Sequence, residues 1–174
     1  LVPNRITVSG IQRVLQNLLS EGISIRDLPT ILEGMVEALG STANLAQVTE
    51  QVRARLARQI CVANSRDGVI PVVTLSPEWD AAFADAIVGE GDHRQLAMAP
   101  SRLQEFIAAL RSTWDRLAQS GEIPCLLVSP ALRPFIRSIV ERVRPSTVVL
   151  SQNEIHAKAR IRSLGTVGEL MALQ

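Results

Sequence analysis

The stretch "VIPVVTLSPEWDAAFADAI" (69–87) decides the fold, because the hydrophobic period changes inside it. Residues 69–75 form a β-rich apolar run, and Pro71 places that run at a strand start or on a sheet edge. Ser76 and Pro77 then supply a helix N-cap and first-turn proline. Trp79, Ala82, Phe83, Ala86 and Ile87 fall on one face of the helix that follows.

Working toward the C-terminus, "GEGDHR" (89–94) is a turn-rich break and "QLAMA" (95–99) a candidate short strand. A long helix opens at Pro100 or Ser101, with Leu103, Phe106, Ile107, Leu110, Trp114 and Leu117 as its stripe. "PCLLVS" (124–129) and "STVVLS" (146–151) read as short buried strands. Between them "SPALRPFIRSIVERV" (129–143) reads as a helix capped by Ser129. The tail "NEIHAKARIRSLGTV" (153–167) alternates Ala159, Ile161 and Ser163 with Arg160 and Arg162, as an edge strand would. Strands alternating with helices of this length imply crossovers and a mainly parallel sheet.

Toward the N-terminus the period is helical throughout. Ile11, Val14, Leu15, Leu18 and Leu19 form one stripe, with Thr7 or Ser9 as cap and Gly22 as the closing glycine. Leu28, Ile31, Leu32, Met35, Val36 and Leu39 form a second, with Asp27 as N-cap, Pro29 in the first turn and Gly40 at the end. Leu45, Val48, Val52, Leu56 and Ile60 mark a longer third helix capped by Asn44. Its other face carries Glu50, Arg53, Arg55 and Arg58. The fold class expected is mixed α+β and α/β: a small helical subdomain over roughly residues 1–66, then a thin α/β subdomain.

Composition narrows the function. The 174 residues are 47% hydrophobic and 20% charged, as in an ordinary packed protein. Formal net charge is +1, far from the basic footprint of a nucleic-acid domain. The paired helices around residues 18–35 could suggest a helix-turn-helix. Between Val8 and Leu39, however, Arg13 and Arg26 stand against Glu21, Asp27, Glu33 and Glu37, and the second helix has no base to meet phosphate. Nucleic acid is therefore excluded as a partner. Cys61 and Cys125 have no ligand-like spacing and read as buried thiols in a reducing compartment. No apolar run approaches the ~20 residues of a membrane span, and no signal peptide is evident. A chain that opens on Leu1 rather than Met is expected to be a piece of something longer.

Catalytic patterns are sparse. His93 and His156 have no companion at metal-ligand spacing. Ser129 sits where a nucleophile elbow would, without its glycines. There is no phosphate-binding glycine motif. The acids Glu78, Asp80, Asp85, Glu90 and Asp92 lack the compact spacing of a cation loop and read as a solvated face. No catalytic, cofactor-binding or metal residue is therefore expected. Residues 130–162 hold seven bases (Arg133, Arg137, Arg142, Arg144, Lys158, Arg160, Arg162) against two acids. That polarity could steer a partner or be a plain exposed face. The alternative is a small α/β enzyme or ligand-binding module at the sheet's C-terminal edge, which would need polar groups converging near Ser76, Ser129 and Ser151.

Four segments taken together resemble one family. They are "VLQNLLSEGISIRDLPTILE" (14–33), "VRARLARQI" (52–60), the strand opening at Val69, and "VVLSQNEIHAKARIRSLGTVGEL" (148–170). The resemblance is to the FlhA-type export gate of flagellar and virulence type III secretion, with the flagellar branch fitting better, and it covers nearly the whole chain. It implies a non-enzymatic part of the cytosolic half of a bacterial inner-membrane protein, joined to the membrane only through an N-terminal half lying outside this chain. Residues 1–68 would be the third, ring-building subdomain and 69–174 the fourth. The implied partners are further copies in a nine-membered ring, export chaperones with flagellar substrates, and other gate and ATPase components; no cofactor is implied. Ring building gives Arg26 and Asp27, at the link between the first two helices, a use against a neighbouring subunit. Cap preference alone also accounts for Asp27, and Arg26 could pair locally. Arg133, Arg137, Arg160 and Arg162 are the other candidate interaction residues. The family's main chaperone-docking site would lie in the first two cytosolic subdomains, outside this chain. In place of the proline that flagellar members often carry after "NEI", His156 and Ala157 follow.

Overall fold

The structure, a computed structural model, describes residues 6–168. Glu169 and Leu170, which close the last of the quoted segments, lie outside the described residues. Helix α1 (Val8–Ser20) is capped by Thr7, whose hydroxyl accepts from the Gly10 amide at 3.0 Å. It stops in a paired turn: Gly22 N–H donates to Leu19 O and Ile23 N–H to Leu18 O, each at 3.0 Å. Gly22 has φ +73°, a conformation that glycine adopts without strain. Helix α2 (Leu28–Ala38) starts at Asp27 with Pro29 in its first turn, as the sequence indicates.

The expected long third helix is two. Helix α3 (Leu45–Arg55) ends at Leu56, whose amide is shared between the Val52 and Arg53 carbonyls, and α4 (Ala57–Asn64) starts afresh. No proline or glycine marks the break. It accompanies the packing of α4 against residues 154–156, where the Cys61 thiol donates to Glu154 O and accepts from His156 N–H, both at 3.2 Å.

Asp67 and Gly68, both at positive φ, turn the chain into strand β1 (Val69–Leu75). Then come α5 (Pro77–Ala86), a two-residue antiparallel pair β2 (Ile87–Val88) and β3 (Gln95–Leu96), and α6 (Pro100–Gln119). Strand β4 (Cys125–Val128), α7 (Arg133–Val143), β5 (Val149–Ser151) and β6 (Arg160–Val167) complete the described chain. The main sheet runs β5-β4-β1-β6, all parallel. Two expectations need correcting. Pro71 lies in a central strand rather than at an edge, and is accommodated because the β4 ladder begins only at Val72. Ser129 does not cap α7: its carbonyl closes a turn by accepting from Leu132 and Arg133 N–H, and the helix starts at Arg133.

Strand side chains alternate between two cores. Ile70, Val72, Cys125, Leu127 and Leu150 pack with Val14, Leu18, Ile31, Met35, Val52 and Ile60 of the N-terminal helices. Val73, Leu126, Val128 and Val149 pack with Trp79, Phe83, Phe106, Leu110 and Ile136 from α5, α6 and α7. The sheet is thus the middle of three layers. On the second face Phe83 and Phe106 meet edge-to-face, ring centroids 4.7 Å apart. Among the described residues no helix is long and apolar enough to cross a membrane.

Candidate functional site

Six charged side chains meet where the helical layer joins the sheet. The α1 stop leaves Glu21 at the helix end, α3 offers Glu50 and Arg53 one turn apart, and α7 offers Arg133 and Arg137 one turn apart. The sixth is Glu154, in a 3-10 turn after β5. Its carboxylate caps the turn by accepting from Ser151 N–H at 3.0 Å. The same group accepts from Arg53 twice, at 2.7 Å from Nε and 3.0 Å from Nη2, a fork geometry that strengthens the pair.

Arg133 is fully buried, with its Nη2 2.6 Å from Glu21 Oε2 and its Nε 3.3 Å from Glu50 Oε2. Arg137 Nε stands 3.4 Å from Glu21 Oε1. Arg53 and Glu154 are both almost wholly buried. Burial acts to lower the Arg53 pKa, but the Glu154 hydrogen bonds and the surrounding carboxylates outweigh it and leave it raised. Glu50 is pushed up to about 7, chiefly by burial, against the pull of Arg133 and Arg53. It lines a groove of about 510 Å³ at the C-terminal ends of β4 and β5, beside Gln47, Arg94, Ser151 and Asn153.

The cluster ties the helical layer to the sheet through the Arg53–Glu154 and Arg133–Glu21 pairs. Among the described residues no group of three or more His, Cys, Asp and Glu is placed to hold a metal. The three serines do not converge: Ser151 lines the groove, whereas Ser76 is buried as the cap of α5, its hydroxyl accepting from Trp79 N–H, and Ser129 is not part of the lining. Cys61 and Cys125 are free and buried, and burial pushes the Cys125 thiol up to about 11.

The six sequence candidates separate into three places. Arg26 and Asp27 are exposed in the α1–α2 link. Asp27 spends its carboxylate on the cap, accepting from Thr30 N–H at 3.3 Å and Thr30 Oγ1 at 2.7 Å. Among the described residues Arg26 has no carboxylate within 4.0 Å, as an exposed residue free for another surface would. Arg133 and Arg137 are not part of a solvent-facing row; they turn inward because Glu21, Glu50 and Glu154 await them. Arg160 and Arg162 remain outside, on β6, where Arg162 pairs with Glu122 at 3.2 Å. Glu21, Glu50, Arg53 and Glu154 escaped the sequence reading. One signal was present, the Ser151-x-x-Glu154 spacing of a capping box.

Residues 1–160 match the FHIPEP family. The flagellar biosynthesis protein FlhA of Caulobacter vibrioides is 56% identical over 168 residues, covering 96% of this chain and 24% of that protein. The chain thus spans about a quarter of the length of that relative. The crystal structure of the C-terminal domain of InvA superposes with TM-score 0.86 at 26% identity, covering 94% of this chain and 50% of that one. The cryo-EM structure of nonameric EPEC SctV-C gives TM-score 0.79 at 25% identity, covering 94% and 49%. With nearly its whole length matched in sequence and in fold, this chain belongs to the FHIPEP family.

Proposed function

We propose that the chain is a non-enzymatic module of a flagellar type III protein-export gate, working on the cytoplasmic side of the bacterial inner membrane. It contributes to a ring platform on which export substrates and chaperone–substrate complexes dock before translocation. The observation that carries this reading is the 56% identity to a flagellar FlhA over 96% of the chain. Residues 1–68 are the ring-building third subdomain and 69–174 the fourth. The nonameric state of SctV-C supports self-assembly as the relevant association. The exposed Arg26 and the absence of convergence among the three serines fit a surface that works by binding.

The test is a pull-down of this chain, and of the complete cytosolic half that contains it, with purified flagellar chaperone–substrate complexes at low salt. Capture by the longer protein is expected, with weaker capture by the chain alone. Capture by neither would overturn the reading.

A further inference from the structure

The sheet has two edges, and they differ. At the β5 edge the Val148 carbonyl turns inward to accept from Leu126 N–H, so those of Thr147 and Val149 turn outward. Both outward acceptors are occupied: Arg137 Nη1 donates to Thr147 O at 3.2 Å and Arg53 Nη2 to Val149 O at 3.3 Å. All three β5 residues are buried. That edge is closed to a further strand.

Among the described residues the β6 edge is open. Residues 160–163 are all exposed, and among the described residues no strand lies beyond them. Their register with β1 is unbroken from Val69↔Arg160 to Val72↔Ser163. The register then shifts, and Gly165 at φ +138° ends the regular stretch. What remains is a template of four residues in unbroken register.

Side-chain chemistry selects the occupant. Arg160 and Arg162 project from one face of the strand, Ile161 and Ser163 from the other, and Lys158 stands just before them. A second copy pairing through its own β6 would set these cations against their equivalents, which destabilises cross-strand pairs. A strand with acidic residues at alternate positions would give each Arg a carboxylate. An apolar residue between those acids would cover Ile161, which is 47% exposed. The existing Arg162–Glu122 pair is a surface contact that contributes little and can be exchanged.

We propose that residues 160–163 form a docking edge that takes up an extended acidic–apolar–acidic segment of a partner protein as a fifth strand of the sheet. This goes beyond the export-gate reading and does not depend on ring assembly.

The experiment titrates this chain with a labelled peptide of repeating Glu-Val, following fluorescence anisotropy and backbone amide shifts. Saturable binding is expected, weakened by salt, with shifts centred on residues 160–163. The double variant Arg160→Glu/Arg162→Glu, altered only at exposed positions, should melt as the parent does and lose at least about tenfold in affinity. A Lys-Val peptide should bind that variant and not the parent. Equal binding of the acidic peptide to parent and variant, shifts centred elsewhere, or no binding at millimolar peptide would overturn the proposal. So would concentration-dependent shifts at 160–163 without peptide, which would assign the edge to a second copy.

Discussion

Glu50 stands out among the six clustered charges because burial holds its carboxyl at about 7, where the ordinary value is 4.5. A carboxyl raised on folding contributes stability that is fully present below its unfolded pKa and lost as pH rises through the folded one. The charged groups facing it are Arg133 from α7, Arg53 from its own helix, Glu154 from the turn after β5 and Glu21 from α1. Glu50→Gln should match the parent near pH 4.5 and exceed it by about 1–3 kcal/mol near pH 8. Urea unfolding of both proteins across that range checks this; a difference that stays flat with pH would contradict it. Arg53→Met, in contrast, removes the forked partner of the buried Glu154 carboxylate, leaving it only Ser151 N–H and Arg133 Nε at 3.6 Å, and should cost about 3–5 kcal/mol in the same measurement at neutral pH. This cluster is the part of the site that the sequence concealed. Its members come from three helices and a turn, and a charged residue on an amphipathic helix ordinarily reads as solvent-facing.

At the scale of elements, most starts and stops were legible because they are set by neighbours in sequence, the start of α7 at Arg133 rather than after Ser129 being an exception. Asp27 with Pro29, Ser76 with Pro77, and Gly22 each behave as local chemistry dictates. The divided third helix was not legible, since its break answers to residues about 90 positions away at Glu154 and His156. The same dependence on distant packing governs how closely α2 and α3 approach. A Cβ at Gly34 would stand 3.1 Å from Arg55 Cδ and 3.3 Å from Val52 Cγ2. Gly34→Val should therefore force the two helices apart and destabilise by about 1–3 kcal/mol, measurable as a lowered urea midpoint.

For the whole molecule, the mainly parallel sheet and the edge strand in the tail follow from periodicity, whereas the strand order, the packing of the N-terminal helices on the sheet and the interior destination of Arg133 and Arg137 needed the assembled layers. Arg26→Glu tests the surface left free by that assembly. It should weaken self-association of the full-length protein, read by sedimentation or crosslinking, while leaving the melting temperature nearly unchanged; undiminished association would remove Arg26 from the interface. The double duty of Glu154 bears on how the layers come apart. One carboxylate both caps the 152–154 turn, through Ser151 N–H, and anchors Arg53 of the helical layer. Lifting that layer away therefore uncaps the turn and loosens the end of β5 in the same event. In native-state hydrogen exchange the Ser151 amide should open in one cooperative unit with those of α3, so that two segments distant in sequence report a single opening free energy.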